Sequence, residues 1–172
     1  PDGPIIREEL AHSLQRADLV IVTGGLGPTS DDLSREYTAE TLGVEMVEDA
    51  RTIDRISARL AARGRDCGAN QRRQAMVPAG AIVLDNDEGT APGLAFVGRI
   101  ALPGQHARLL CLLPGPPREL HPMFDRVVCP LIRQTFPGET VPASLREFHF
   151  AGIGEGELAG KIEPLLADIE GL

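Results

Sequence analysis

Asp31 and Asp32 end the stretch Thr23-Gly24-Gly25-Leu26-Gly27-Pro28-Thr29-Ser30-Asp31-Asp32, and the residues before them make their charge a chemical question. Three glycines let the backbone approach another group closely and reach φ > 0. Thr29 and Asp32 have the Ser/Thr-x-x-Asp/Glu spacing of a capping box, which predicts a helix start there. A glycine turn running into a helix N-terminus points N–H groups and a positive dipole end outward, so phosphate is the natural guest. Carboxylates repel phosphate unless a cation lies between them. One of the two aspartates suits the helix N-terminus. The other, Asp32 by its place after the loop, suits a divalent ion that bridges to phosphate oxygens. Taken alone, the stretch is also an ordinary tight strand-to-helix turn, being neither G-x-G-x-x-G nor a Walker loop.

A second polar cluster, Asn70-Gln71-Arg72-Arg73-Gln74, offers planar amides and guanidinium forks. These suit a phosphate or a nucleobase edge; alone they read as a solvated loop. Two further loops stand out, Asn86-Asp87-Glu88-Gly89-Thr90-Ala91-Pro92-Gly93 and Pro114-Gly115-Pro116-Pro117. The four histidines are scattered without metal spacing, and no Ser-His-Asp or Cys-His pairing emerges. Glu119, beside the proline turn, reads as a helix N-terminal charge rather than a general base.

The elements that must position these loops follow from periodicity. Ile6, Leu10 and Leu14 predict an amphipathic helix over residues 5–17, delivering the chain to a buried strand at 18–23. A helix is expected at 32–42, with Gly43 as its left-handed C-cap. Another follows at 49–63, with Ile53, Ile56, Leu60 and Ala61 on one face. Strands are expected at 81–84, 94–97 and 107–113. The helix over 118–134 should kink at Pro130. After a boundary at 137–142, a strand at 145–150 and an amphipathic helix carrying Leu158, Ile162, Leu165, Leu166 and Ile169 complete the chain. Helix, strand, glycine turn, helix is α/β syntax, in which loops at the carboxyl ends of parallel strands collect on one edge.

With 172 residues, the chain suits one α/β domain and a small appendage. A net charge of −8 and an aromatic content of 3% argue against nucleic acid, which needs a basic face or stacking platforms. Anions must then be held by local devices. Three unpaired cysteines suit a reducing cytoplasm, and no membrane-length apolar run is visible.

Together the four loops resemble the molybdopterin-binding-like domain of the CinA family, the competence/damage-inducible proteins. The resemblance is carried by the stretch from Thr23 to Asp32, by Asn70-Gln71-Arg72-Arg73-Gln74-Ala75, by Gly89-Thr90-Ala91-Pro92-Gly93 and by Leu113-Pro114-Gly115-Pro116-Pro117-Arg118-Glu119-Leu120. Gly152-Ile153-Gly154-Glu155 is similar to the start of the family's following subdomain. Enzymes of the MogA/MoaB type share the first loop, whereas Leu26 and the later motifs are similar to the CinA branch.

The resemblance implies a three-layer α/β/α fold with a mostly parallel sheet over residues 1–137, lacking the family's first strand. Residues 138–172 would be part of a small α+β subdomain. The family's opening strand and G-x-E-L-L segment would precede Pro1. It implies hydrolysis of ADP-ribose to AMP and ribose 5-phosphate, assisted by a divalent metal ion (Mg²⁺ or Co²⁺) and by K⁺. Asp32, as metal ligand, and Asp31 would be catalytic. The substrate would meet Thr23, Gly24, Gly25, Gly27 and Thr29 from the first loop, and Asn70, Arg73 and Gln74 from the second. Asn86, Gly89, Thr90, Gly93, Pro114, Gly115 and Pro116 would complete the pocket. A small-molecule nucleotide partner, a homodimer and a cytoplasmic location follow by the same route. The alternatives are a nucleotide- or molybdopterin-binding module without turnover, and a molybdopterin adenylyltransferase. Full-length bacterial members often add a nicotinamide-nucleotide deamidase domain, to which no segment of this sequence corresponds.

Overall fold

Leu10 and Leu14, one helical turn apart, are the buried face of α1 (Gly3–Arg16), which packs on one side of a central sheet. The computed structural model describes residues 3–98, 108–138 and 149–166. The chain divides into two compact units, Pro1–Thr140 and Val141–Leu172.

In the first unit, β1 (Leu19–Thr23), β6 (Leu109–Leu113), β5 (Gly93–Val97) and β4 (Ile82–Leu84) form one sheet in that spatial order. β1 pairs parallel with β6, Leu19 opposite Leu109 and Thr23 opposite Leu113. β5 is antiparallel to both β6 and β4. Three of the four strands therefore point the same way, and β5 alone runs against them. That reversal brings the end of β4, the start of β5 and the ends of β1 and β6 to a single edge.

β6 is apolar throughout, Leu-Leu-Cys-Leu-Leu, as a strand covered on both faces requires. Leu110 and Leu112 face α1 together with Val20, Leu26 and Leu94. Leu109, Cys111 and Leu113 face Met123, Val128 and Phe136. The outcome is three layers, α/β/α, with a core on each side of the sheet. Burial pushes the Cys111 thiol up to about 11, which keeps it protonated and inert. All three cysteines are free thiols.

Several elements match their sequence signals. α2 (Ser34–Leu42) ends at Gly43 with φ 65°. α3 (Ala50–Ala61) is capped by Asp49, whose side chain accepts from the Thr52 N–H at 2.7 Å. α5 (Pro117–Met123) continues through a π-helical stretch, Phe124–Val128, into α6 (Cys129–Thr135). Pro130 follows that stretch in the first turn of α6, where its missing N–H costs the helix least. Three short elements carry no clear periodicity. These are α4 (Ala69–Arg73) and the antiparallel pair β2 (Met46–Glu48) and β3 (Met76–Pro78).

The second unit contains α7 (Glu155–Leu166), with Leu158 and Ile162 half-buried. Most of the strand expected at 145–150 and of the boundary at 137–142, and Ile169, lie outside the described residues. Among the described residues no helix is long and apolar enough to cross a membrane.

Candidate functional site

Gly24 and Gly25 turn the chain at the end of β1 with φ 87° and 70°, values that cost other residues steric strain. The Gly24 N–H donates to the Leu113 carbonyl at 2.9 Å, fastening this loop to the end of β6. Gly115 in the next turn lies beside Gly24, where a Cβ would make an ordinary contact, 3.4 Å from Gly24 Cα.

Within the loop, Asp32 Oδ2 accepts from the Thr29 N–H at 2.9 Å and from Thr29 Oγ1 at 2.6 Å. Burial raises the Asp32 carboxyl, but the Thr29 hydroxyl, the Thr29 and Gly27 N–H groups and Arg35 together hold it below its ordinary value. The helix start expected at Asp32 is corrected. The Thr29 hydroxyl goes to the carboxylate rather than to the Asp32 N–H, the chain turns, and α2 begins at Ser34 with no side-chain cap. The pair closes the loop instead of capping a helix.

Two arginines grip the loop carbonyls. Arg35, fully buried, donates Nη1 to the Leu26 carbonyl and Nη2 to that of Gly27 at 3.2 Å. Arg73 donates Nη1 to the Thr29 carbonyl at 2.7 Å and Nη2 to that of Asp32 at 3.3 Å, and pairs with Glu36 at 2.7 Å. With the carbonyls engaged, the N–H groups of Gly25 and Leu26 are left without an acceptor among the described residues.

A second loop, between β4 and β5, is organised by an asparagine within it and by arginines of α3 from outside. Buried Asn86 accepts through Oδ1 from the Glu88 and Gly89 N–H groups at 3.0 and 2.8 Å. Its Nδ2 donates to the Ala91 carbonyl and to Glu119 Oε2, each at 2.8 Å. Gly89 is required here, since a Cβ would overlap the Glu119 carboxylate.

These loops enclose a cleft of about 610 Å³ at the shared strand edge. Gly24, Gly25, Leu26, Gly27, Pro28 and Asp32 line one side, with Pro114, Gly115 and Pro116 beside them. Glu88, Gly89, Thr90 and Ala91 line the other. Gln74, only 1% exposed, reaches the cleft from the end of α4, and its Oε1 is buried with no partner among the described residues.

Other residues expected in the pocket lie elsewhere. Asp31 is exposed and takes a long bond from Ser30 Oγ at 3.4 Å. Thr23 ends β1, Asn70 is exposed on α4, and neither lines the cleft. Thr29 and Arg73 hold the loop from behind, and Asn86 spends its amide on its own loop and on Glu119 of α5. Gly93 begins β5 packed against Met123, whose sulfur a Cβ would overlap. Conversely, Arg59, Arg63 and Arg118 line the cleft without having been singled out. The four-residue spacing of Arg51, Arg55, Arg59 and Arg63 was the available signal.

Among the described residues no three His, Cys, Asp or Glu side chains are placed to hold an ion. Asp32 therefore fits only the type of Mg²⁺ site in which one or two carboxylates share the ion with the substrate's phosphates and water.

A glycine-turned strand end, opposed by a second loop over an α/β/α edge, defines a class, and comparison agrees. The chain belongs to the family described as "Probable molybdopterin binding domain", whose model matches residues 2–134. Its relatives are CinA-like. It is 43% identical over 172 residues to a "CinA-like protein" of Akkermansia muciniphila, covering 100% of this chain and 40% of that protein. It is 43% identical over 162 residues to a "Putative competence-damage inducible protein" of Symbiobacterium thermophilum, covering 94% of this chain and 37% of that protein. A crystal structure of the protein CinA, of unknown function, from Thermoplasma acidophilum superposes with a TM-score of 0.62 at 26% identity, covering 76% of this chain and 72% of that one. The chain thus spans about 40% of the length of the curated relatives it matches.

Proposed function

We propose that the cleft binds a nucleotide and hydrolyses ADP-ribose to AMP and ribose 5-phosphate, with Mg²⁺ or Co²⁺ and K⁺ assisting. The observation that carries this reading is one cleft joining unpaired backbone donors, a carboxylate and an orphaned buried amide. The N–H groups of Gly25 and Leu26 would meet a phosphate oxygen and steady charge developing there. Gln74 Oε1 would accept from a ribose hydroxyl or a base amino group, ending its isolation. Asp32 would hold the divalent ion, which supplies Lewis-acid polarisation of the diphosphate when bound. The same reading includes a homodimer, which sedimentation would check.

The test is to incubate the protein with ADP-ribose, Mg²⁺ or Co²⁺, and K⁺, and to measure AMP. Turnover that disappears in Asp32→Asn is the expected result, and absence of AMP from the unaltered protein overturns hydrolysis. One observation favours the alternative, a module that binds without turnover: the Asp32 carboxylate already serves its own loop. Tight calorimetric binding of ADP-ribose with no product would establish that alternative.

A further inference from the structure

Arginines recur every fourth residue along α3 and continue past its end, at Arg51, Arg55, Arg59 and Arg63. Residues four apart share one helix face. The first two are neutralised. Arg51 Nη2 meets Asp85 Oδ2 at 2.6 Å, and Arg55 pairs with Asp85 and Asp87. The last two are not. Neither Arg59 nor Arg63 has a carboxylate within 4.0 Å among the described residues. Arg59 gives Nη1 to the Asp87 carbonyl at 2.6 Å, while its Nε is buried with no acceptor. Both side chains line the cleft that also holds the orphaned Gln74 Oε1. Of the three carboxylates lining the cleft, Asp32 is engaged by Thr29 and Glu119 by Asn86, and, among the described residues, Glu88 makes no ion pair with Arg59 or Arg63. A chain with net charge −8 thus places in one cleft two guanidinium groups that have no carboxylate within 4.0 Å, together with the Gly25 and Leu26 residues whose N–H groups are unpaired among the described residues.

We infer that Arg59 and Arg63 form a phosphate-binding wall of this cleft, selecting ligands that carry a diphosphate or a terminal phosphate. Guanidinium forks match phosphate oxygens bidentately, and a buried Nε–H without an acceptor is a donor waiting for one. The inference rests on the cleft being the ligand site, as proposed above, but not on turnover. It also separates the roles of the stripe: Arg51 and Arg55 pair with carboxylates of the protein's own acidic loop, whereas Arg63 and the free Nε edge of Arg59 are left for the ligand.

The test is calorimetry of the full chain with inorganic pyrophosphate, in low salt without metal. Arg59→Gln and Arg63→Gln are each expected to weaken binding about tenfold, the loss of one charge-assisted contact. Arg51→Gln makes the same change in net charge outside the cleft and is expected to leave binding unchanged. The Arg63 side chain has no bonded partner among the described residues, so its variant keeps the fold even if Arg59→Gln does not. Arg59→Lys, which keeps the charge but not the fork, should fall between Arg59→Gln and the unaltered chain. Pyrophosphate binding that is absent from the unaltered chain, or undiminished in Arg63→Gln, overturns the inference. Binding lost as expected beside an absence of ADP-ribose hydrolysis would retain this wall and remove only the hydrolase reading.

Discussion

Residues 24–33 have four carbonyls held by arginines from outside the loop, whereas residues 85–92 have two so held, by Arg55 and Arg59, and in addition two N–H groups held by an asparagine within. Arg35 and Arg73 come from α2 and α4 and seize carbonyls of Leu26, Gly27, Thr29 and Asp32. Asn86 instead reaches forward along its own chain to N–H groups of Glu88 and Gly89. The choice of backbone group matters. A loop held by its carbonyls keeps N–H donors for a ligand. The second loop has spent the Glu88 and Gly89 N–H groups on Asn86, and keeps those of Thr90 and Ala91 without an acceptor among the described residues. The two walls of one cleft are therefore held differently, the glycine wall through four carbonyls and the other through two carbonyls and two N–H groups.

This contrast can be broken from either side. The largest effect is expected from Arg35→Met. It keeps much of the buried volume but strands the Leu26 and Gly27 carbonyls, costing about 3 kcal/mol or more in urea unfolding. Asn86→Ala should cost about 2 kcal/mol by the same measurement, because its loop lies nearer to water and can recover some bonds from it. Asp32 gives the smallest effect and sharpens the picture through pH. Its carboxyl is held below the ordinary 3.8 in the folded chain, so its contribution to stability is complete above that pH. The contribution is lost as pH falls through the lowered folded value. Urea midpoints of Asp32→Asn and of the unaltered protein should differ near neutrality and converge below about pH 3.8.

Much of the scaffold was legible in the chain. Leu10 and Leu14, the apolar run of β6 and the cap at Gly43 are local signals, and local signals survive folding. α4, β2 and β3 were not legible, because segments of three to five residues cannot display a period and owe their shape to neighbours. The site divides in the same way. Gly24 and Gly25, with positive φ, are where backbone conformation demands glycine, which sequence marks well. Thr29, Arg73 and Asn86 are polar residues beside a site, and nothing in their spacing tells a side chain that meets a ligand from one that meets its own backbone. Gln74 and Arg73 are adjacent, yet one faces the cleft and the other the back of the loop. Arg59 and Arg63 were hidden for a different reason: a charge repeat on a helix usually reads as a solvated face.

The pairing of β1 with β6 joins residues 90 apart in sequence, Leu19 with Leu109, whereas β4, β5 and β6 are joined to near neighbours by shorter connections. Closing so long a loop carries an entropic cost that local contacts do not repay in advance, so pairings of this span slow folding. The Gly24 N–H meets the Leu113 carbonyl only when that pairing is in place. In a refolding experiment, ligand capture is thus expected to trail the recovery of helical signal. The cleft would be the last part of the first unit to form and the first to open.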